Sequence, residues 1–289
     1  MNLGYSTWGM PQVPIDRGLA HLARLGFQGV ELAVIPGYTT ELGRLDTAER
    51  RRIRQLLHRH GLDLAAIAAH TSLLEPDESK HSANVDRLTR ALDLAVDLAD
   101  GPAPPVVNTT SGGRSGEWEA MRQTLVDRLG GLVDRAARLG VTLGIEPHVG
   151  ACLDLPDRAL QLLREVNSPY LKINFDISHF DVIGLTIEET VPLLAPQTVH
   201  THVKDQRGRH PEFEFLIPGE GDFDYVRYLK AMRQAGYDGY ITVEVSVMVQ
   251  RRPGYDPYAA AALSFKTLSE AFERAGIEQG CHIRKKDVD

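Results

Sequence analysis

A regular alternation between short β-rich runs and amphipathic helical stretches dominates this sequence and limits the folds open to it. The β-rich runs span residues 3–7, 30–34, 62–70, 105–110, 141–148, 171–178, 199–205 and 240–246. The helical stretches span residues 14–25, 47–60, 83–99, 117–139, 157–166, 187–194, 225–235 and 258–275. Strands that alternate with helices form a parallel sheet covered by those helices. Eight such units are the number that closes a parallel barrel.

The length of the chain agrees with one barrel rather than two domains. A (β/α)8 barrel typically takes about 250 residues, and this chain has 289, with no linker rich in Pro, Ser or Gly between the units. The rival fold, a doubly wound open sheet, usually carries G-x-G-x-x-G after its first strand, which residues 6–11 lack. We therefore predict an α/β protein with a single (β/α)8 TIM barrel over residues 1–280, followed by a polar C-terminal tail over 281–289.

Composition excludes several classes of protein. The net charge of −7 argues against a general nucleic-acid binder. Two cysteines are too few for a disulfide scaffold, which favours a reducing compartment. The N-terminus has no basic segment followed by an apolar one, and no apolar run approaches 18 residues. We expect a cytoplasmic protein that binds neither membranes nor nucleic acids.

Polar side chains recur on one parity of the last four predicted strands. They are Glu146 and His148 in strand five, Asn174, Asp176 and Ser178 in strand six, His200, His202 and Lys204 in strand seven, and Thr242, Glu244 and Ser246 in strand eight. Alternate residues of a strand point to opposite faces. Because the outer face of a barrel packs under apolar helices, this polar parity must point into the lumen, towards the C-terminal mouth where barrel active sites lie.

Four of these side chains predict a metal site: Glu146, Asp176, His202 and Glu244. Three carboxylates and an imidazole in a partly desolvated cavity would repel each other, and a divalent cation removes that penalty. Oxygen-rich ligation favours Mn²⁺ or Mg²⁺, with Co²⁺ or Zn²⁺ also compatible. The alternative is that these residues form internal ion pairs without a metal.

At these residues the sequence resembles the xylose-isomerase-like TIM-barrel family, which includes sugar-phosphate isomerases, ketose 3-epimerases, inosose dehydratases and endonuclease IV. The resemblance rests on GVEL at 29–32, GIEPH at 144–148, FDISH at 175–179, HVKD at 202–205, GEGDFD at 219–224 and VEV at 243–245. It implies one divalent metal held by Glu146, Asp176, His202 and Glu244. It also implies that His179 contacts the substrate.

The expected activity is that of a divalent-metal-dependent isomerase or epimerase whose partner is a small polyhydroxylated carbonyl compound. The metal lowers the cost of an enediolate once a positioned group removes the proton next to the carbonyl. Glu146 and Glu244 are the candidate acid-base groups as well as ligands. Self-association is left open by the sequence.

Two departures from the family's epimerases keep a lyase alternative open. The arginine that they carry six positions after the strand-seven histidine is Gly208 here, and strand five continues as Pro147-His148. His148 is therefore a further candidate catalytic residue. An acid or base in addition to the ligand carboxylates suits a lyase, in which a leaving group must be protonated. Examples are an inosose-type dehydratase and the β-elimination of keto-sugar glycosides, such as C-glycoside deglycosidation.

Two other classes are less well supported. An endonuclease IV-like DNA-repair nuclease would need more histidines on strands three and four. Strand three does end at His70, but strand four offers Asn108, and the negative charge disfavours duplex DNA. A non-catalytic metal-binding or transport module is opposed by acid-base groups beyond those that coordination needs, namely His70, His148, His179 and Lys204.

The remaining candidates concern substrate binding. We predict that His70 and Lys204 contact the substrate, and that Trp8, in the loop after strand one, forms an apolar wall of the pocket. Arg207 and Arg209 could reach a substrate phosphate or carboxylate. Glu31 in strand two is interpreted as structural, paired with a lysine of the barrel.

Overall fold

The computed structural model describes residues 1–101 and 103–280. Its strands are β1 (Asn2–Ser6), β2 (Gly29–Ala33), β3 (Asp63–Ser72), β4 (Val106–Thr110), β5 (Leu143–Glu146), β6 (Leu171–Asp176), β7 (Thr198–Val203), β8 (Asp205–Arg209), β9 (Glu212–Leu216) and β10 (Tyr240–Val243). Its α-helices are α1 (Ile15–Leu25), α2 (Thr47–His60), α3 (Glu78–Leu98), α4 (Trp118–Leu139), α5 (Pro156–Val166), α6 (Ile177–Asp181), α7 (Ile187–Leu194), α8 (Tyr225–Gln234), α9 (Val247–Gln250) and α10 (Pro257–Ala275).

Eight of these strands form a closed parallel barrel in the order β1-β10-β7-β6-β5-β4-β3-β2. Every neighbouring pair is parallel, and β10 pairs with β1 to close the ring. The strands alternate with helices along the chain, so the prediction of a single (β/α)8 TIM barrel is confirmed. The register aligns Asp176 on β6 with His202 on β7, and His202 with Thr242 on β10.

The main core lies between the barrel and its helices. Ile145, Phe175, Val203 and Val243 are fully buried members of the hydrophobic core. Burying each such side chain stabilises the fold by about 1.5–3 kcal/mol. Because side chains alternate along a strand, this apolar outer parity directs the neighbouring polar residues into the lumen.

Strands five and six end earlier than predicted, and both ends have a local cause. β5 stops at Glu146 because the next residue, Pro147, has no N–H to donate to the sheet. β6 stops at Asp176, whose carboxylate accepts hydrogen bonds from the Ser178 N–H at 2.9 Å and its hydroxyl at 2.6 Å. These bonds start α6 and fix the position of the Asp176 side chain.

An antiparallel hairpin after barrel strand β7 was not predicted. Its strands β8 and β9 pair from Asp205 opposite Leu216 to Arg209 opposite Glu212. The hairpin buries Phe215 in a small apolar cluster with Val149 and Val182. Only two phenylalanines alternate among charged residues in this segment, so its apolar pattern is too short to distinguish a strand from a loop.

No helix in the described ranges is both long enough and apolar enough to cross a membrane. The predicted polar tail, residues 281–289, lies outside the described residues. The domain boundary at residue 280 therefore stays a prediction.

Candidate metal centre and active site

The four predicted metal ligands meet at the carboxyl ends of the last barrel strands. Glu146 is the last residue of β5, Asp176 the last of β6, His202 lies in β7, and Glu244 directly follows β10. All four are buried. Each offers one ligand atom, and the four atoms lie within 4.8 Å of one another.

The spacing of these atoms suits a divalent ion. His202 Nδ1 is 3.3 Å from Glu146 Oε1 and 3.6 Å from Glu244 Oε1. In an octahedral site with bonds of about 2.1 Å, ligand atoms lie about 3.0 Å apart when adjacent and about 4.2 Å apart when opposite. The measured distances fall in this range, so the four residues fit a metal.

The electrostatics of the site also call for a cation. Burial alone would raise the pKa of the Glu146 carboxyl, but His179 and His202 hold it well below its usual range. Burial would lower the pKa of His202, but the carboxylates of Glu31 and Glu244 raise it well above the ordinary value. The Glu146 carboxyl is therefore held ionised in a buried site, which attracts positive charge.

Lys204 supplies one positive charge from within the chain. Its Nζ lies 2.6 Å from Asp176 Oδ2 and 2.5 Å from Glu244 Oε2. Burial opposes its charge, but these two carboxylates raise the pKa of Lys204 above its ordinary value. Lys204, predicted to contact the substrate, therefore lies both beside two of the candidate ligands and on the wall of the cavity.

A cavity of about 140 Å³ is lined by two of the four residues, Glu146 and Glu244. It is smaller than the roughly 300 Å³ at which pockets for drug-sized ligands begin. Its walls include Trp8, His70, His148, His179 and Phe215, together with Glu146, Lys204 and Glu244. A compact molecule that enters it therefore contacts the carboxylates directly.

His148 and His179 form one wall of this cavity, with ring centroids 3.8 Å apart. Burial and the neighbouring His179 lower the pKa of His148 to about 3. The Val149 carbonyl lies 2.7 Å from His148 Nδ1 and can only accept a hydrogen bond, so Nδ1 carries the proton. The lone pair of neutral His148 is therefore on Nε2.

His70 and Trp8 close the opposite side. His70 Nδ1 is 3.6 Å from Glu146 Oε2, and its Nε2 is 3.9 Å from Glu244 Oε1. Trp8 packs edge-on against His70 with the ring centroids 5.3 Å apart. The structure thus brings both predicted residues to the cavity wall.

Arg207 and Arg209 are not brought into the cavity. Both lie on the exposed hairpin, where Arg207 pairs with Glu214 at 2.8 Å and Arg209 pairs with Asp181 at 3.0 Å. The in-out alternation of side chains in barrel strands could not predict these positions, because the strand after β7 belongs to the hairpin and not to the barrel. The cavity therefore gives no support to a substrate contact by either arginine, and that role stays a prediction.

Sequence reasoning missed three wall residues, Thr110, Phe215 and Val247, and misassigned one lumen residue. Phe215 on the unpredicted β9 lies over Lys204 Nζ at 5.1 Å and packs edge-on against His179. Glu31 was expected to pair with a lysine, but its Oε2 lies 2.8 Å from His202 Nε2. The prediction for Glu31 was wrong because its partner stands across the lumen, 171 positions away in sequence.

Several known proteins are similar to this chain over most of its length. The rhizopine catabolism protein MocC of Rhizobium meliloti is 26% identical over 95% of this chain and 86% of its own length. The fructoselysine 3-epimerase of Shigella flexneri is 22% identical over 95% of this chain and 100% of its own length. A crystal structure of IOLI protein with a zinc atom has a TM-score of 0.76 and 18% identity, covering 96% of this chain and 98% of that one.

The family comparison covers most of the barrel. The sequence model of the xylose isomerase-like TIM barrel matches residues 19–277, which include all four candidate metal ligands. The match begins within α1 and ends just beyond α10. The chain therefore belongs to the xylose isomerase-like TIM barrel family.

Proposed function

We propose that this protein is a divalent-metal-dependent enzyme of the isomerase or epimerase type that acts on a small polyhydroxylated carbonyl compound. One observation carries the proposal: four candidate ligand atoms lie within 4.8 Å of one another, and two of their residues, Glu146 and Glu244, line a compact cavity. The whole-length similarity to a fructoselysine 3-epimerase supports an activity on sugar-like compounds.

Glu146, Asp176, His202 and Glu244 would hold the metal. Bound there, a divalent ion would polarise the substrate carbonyl and its neighbouring hydroxyl and so ease formation of an enediolate. Mn²⁺ or Mg²⁺ suits three carboxylates and one imidazole, and the zinc in IOLI protein keeps Zn²⁺ a candidate.

The chain's own residues would move the proton. Glu146 and Glu244 line the cavity, so the carboxylate of either residue can take a proton from the carbon next to the carbonyl. Returning that proton to the other carbon or to the other face gives isomerisation or epimerisation. His179 and His70 would orient the substrate hydroxyls, and Trp8 would cover an apolar face of the substrate.

A second outcome, β-elimination, is favoured by the pair His148 and Lys204. His148 offers an unprotonated Nε2 and Lys204 an ammonium group in the same cavity. In this reaction the base removes the proton next to the carbonyl, and the enediolate expels a β-hydroxyl or β-glycosyl group, which leaves with a proton. The lyase would therefore share the first step with the isomerase.

Incubating the metal-loaded protein with ketoses, inososes and 3-keto-glycosides in D₂O tests the proposal. We expect solvent deuterium at the carbon next to the carbonyl in recovered substrate or product, measured by NMR and mass spectrometry. Isomerisation keeps the molecular formula, whereas elimination loses water or the aglycone. Chelation should abolish the exchange, and Mn²⁺, Mg²⁺ or Co²⁺ should restore it. Turnover without deuterium, or full activity in protein shown to be metal-free, would refute the mechanism.

Alanine at Arg207 or Arg209 is expected to leave KM unchanged, because both guanidinium groups pair with surface carboxylates outside the cavity. This result would indicate an uncharged substrate. Lys204→Met is the matched control, since it removes a cation that does line the cavity, and it should lower turnover. Steady-state kinetics on the substrate found in D₂O gives both values. A tenfold rise in KM for either arginine variant would instead point to a phosphate or carboxylate on the substrate.

A further inference from the structure

A layer of buried polar side chains lies in the lumen against His202, with Glu31 at its Nε2 and Asn174 at its Nδ1. It consists of Glu31 on β2, Asn108 on β4, Asn174 on β6 and His200 on β7, all at most 1% exposed. None of them lines the cavity above. The proposed chemistry assigns this layer no role, although a barrel could fill the same space with apolar side chains at lower cost.

Glu31 is the charged member of this layer, and its contacts are directed at His202. Its Oε2 lies 2.8 Å from His202 Nε2. Its other oxygen, Oε1, accepts a hydrogen bond from Asn108 Nδ2 at 2.7 Å and lies 3.7 Å from His200 Nε2. One oxygen is therefore anchored by the amide while the other faces the imidazole.

The imidazole of His202 thus has two different sides. Its Nε2 faces Glu31, whereas its Nδ1 faces Glu146 Oε1 at 3.3 Å and Glu244 Oε1 at 3.6 Å. The amide Nδ2 of Asn174 also lies 3.2 Å from Nδ1, where it can donate a hydrogen bond to the lone pair. An ionised carboxylate only accepts hydrogen bonds, so the proton of a neutral imidazole in this position stays on Nε2. The lone pair is then left on Nδ1, aimed at the candidate metal centre.

We infer that Glu31 is a positioning residue that fixes the ring orientation and tautomer of His202, so that Nδ1 is presented as a metal ligand. This inference rests on the proposed function, because it presumes that the centre binds a metal. A carboxylate hydrogen-bonded to the far nitrogen of a ligating histidine orients the ring and makes it a stronger ligand. Asn108 in turn holds Glu31 in place.

A second cation between Glu31, His200 and His202 is the competing explanation, since these three also offer atoms within 4.8 Å of one another. His202 would then need a lone pair on both nitrogens to serve both positions. The 2.8 Å contact between Glu31 Oε2 and His202 Nε2 is an ordinary hydrogen-bond length and needs no ion to explain it. We therefore assign Glu31 to positioning.

The test compares Glu31→Gln with the control variant Asp154→Asn. Both replace a buried carboxylate by an amide, but Asp154 pairs with Ser115 and Arg158 and not with His202. Mn²⁺ affinity is measured by competition with a chelator. Histidine ¹⁵N NMR of the Zn²⁺-loaded proteins reports the protonated nitrogen of His202. We expect Glu31→Gln to weaken Mn²⁺ binding by about 10- to 100-fold and to shift the His202 Nε2–H signal. Asp154→Asn should change neither, and melting temperatures of the metal-free proteins separate a general loss of stability from both effects.

Each result decides the matter. Wild-type Mn²⁺ affinity and an unshifted His202 signal in Glu31→Gln would overturn the positioning role while leaving the proposed function intact. The wild type could bind two metal ions per chain and Glu31→Gln only one, with unchanged affinity for the ion that remains. This result would overturn the positioning role in favour of a second cation. No metal binding by the wild type would overturn the proposed function itself. If Glu31→Gln does not fold, Glu31→Asp keeps the charge but withdraws it by one methylene, and the same weakening is expected.

Discussion

Asp176→Asn and His202→Gln are each expected to lose bound metal and activity together. Both exchanges keep the approximate volume of the side chain but remove a ligand from a cluster whose donor atoms lie within 4.8 Å of one another. Stabilisation of transition-state charge by a metal is worth several kcal/mol. A loss of about 4 kcal/mol corresponds to a fall of about 10³-fold in kcat/KM.

Metal content by elemental analysis, kcat/KM and thermal unfolding measure the effect on one preparation. At a hundredfold excess over Kd, a metal that binds only the folded protein stabilises the wild type by about 2.7 kcal/mol, and we expect both variants to lose this gain. Asp181→Asn and His21→Gln are matched controls, because Asp181 pairs with Arg209 and His21 contacts the Tyr258 carbonyl, away from the centre. Stoichiometric metal retained in both ligand variants would mean that the cluster is misassigned.

The sequence was sufficient to predict which four residues meet. In a closed barrel, the apolar residues of each strand face the outer helices, so the polar residues that alternate with them must face the lumen. Parallel strands also bring their carboxyl ends to the same mouth of the barrel. Glu146, Asp176, His202 and Glu244 could therefore be grouped although up to 98 positions separate them in the chain. Their role as metal ligands stays a prediction.

Contacts across the lumen could not be predicted in the same way. Parity indicates that Glu31 faces inwards but not which strand it meets, and the β2–β3 register shifts between Val30 and Glu31. β2 is separated from β7 by two intervening strands, β1 and β10, so the Glu31–His202 contact depends on the curvature of the closed sheet. Such a contact follows from the three-dimensional structure alone.

The hairpin also explains why the two arginines do not line the cavity. They follow β7 in sequence, and a simple loop would have carried them over the mouth. The antiparallel pairing of β8 with β9 instead directs Arg207 to Glu214 and places Phe215 on the cavity wall. The cavity therefore presents an aromatic ring where charge was expected, which suits an uncharged substrate.

His148→Asn is expected to keep the metal and to lower kcat by about 10²- to 10⁴-fold, the usual contribution of a general acid or base. All four candidate ligands remain in this variant, so the metal content should equal that of the wild type. His148 lines the cavity, and its Nδ1–H donates to the Val149 carbonyl, which leaves Nε2 free to take a proton. His21→Asn is the matched control, because His21 lies on α1, outside the cavity, and should leave kcat unchanged.

Measuring deuterium exchange and turnover on the same His148→Asn preparation separates the roles open to this residue. If His148 removes the proton next to the carbonyl, exchange and product formation should fall together. If it only assists the leaving group, exchange should persist while elimination stops, since the enediolate would still form and be reprotonated. If it merely supports a ligand, metal affinity should fall instead. Normal metal content with near-normal kcat would remove His148 from the mechanism. Glu146 and Glu244 would then be the acid-base pair, and because the lyase reaction would lose one of the two residues that favour it, epimerisation would be favoured.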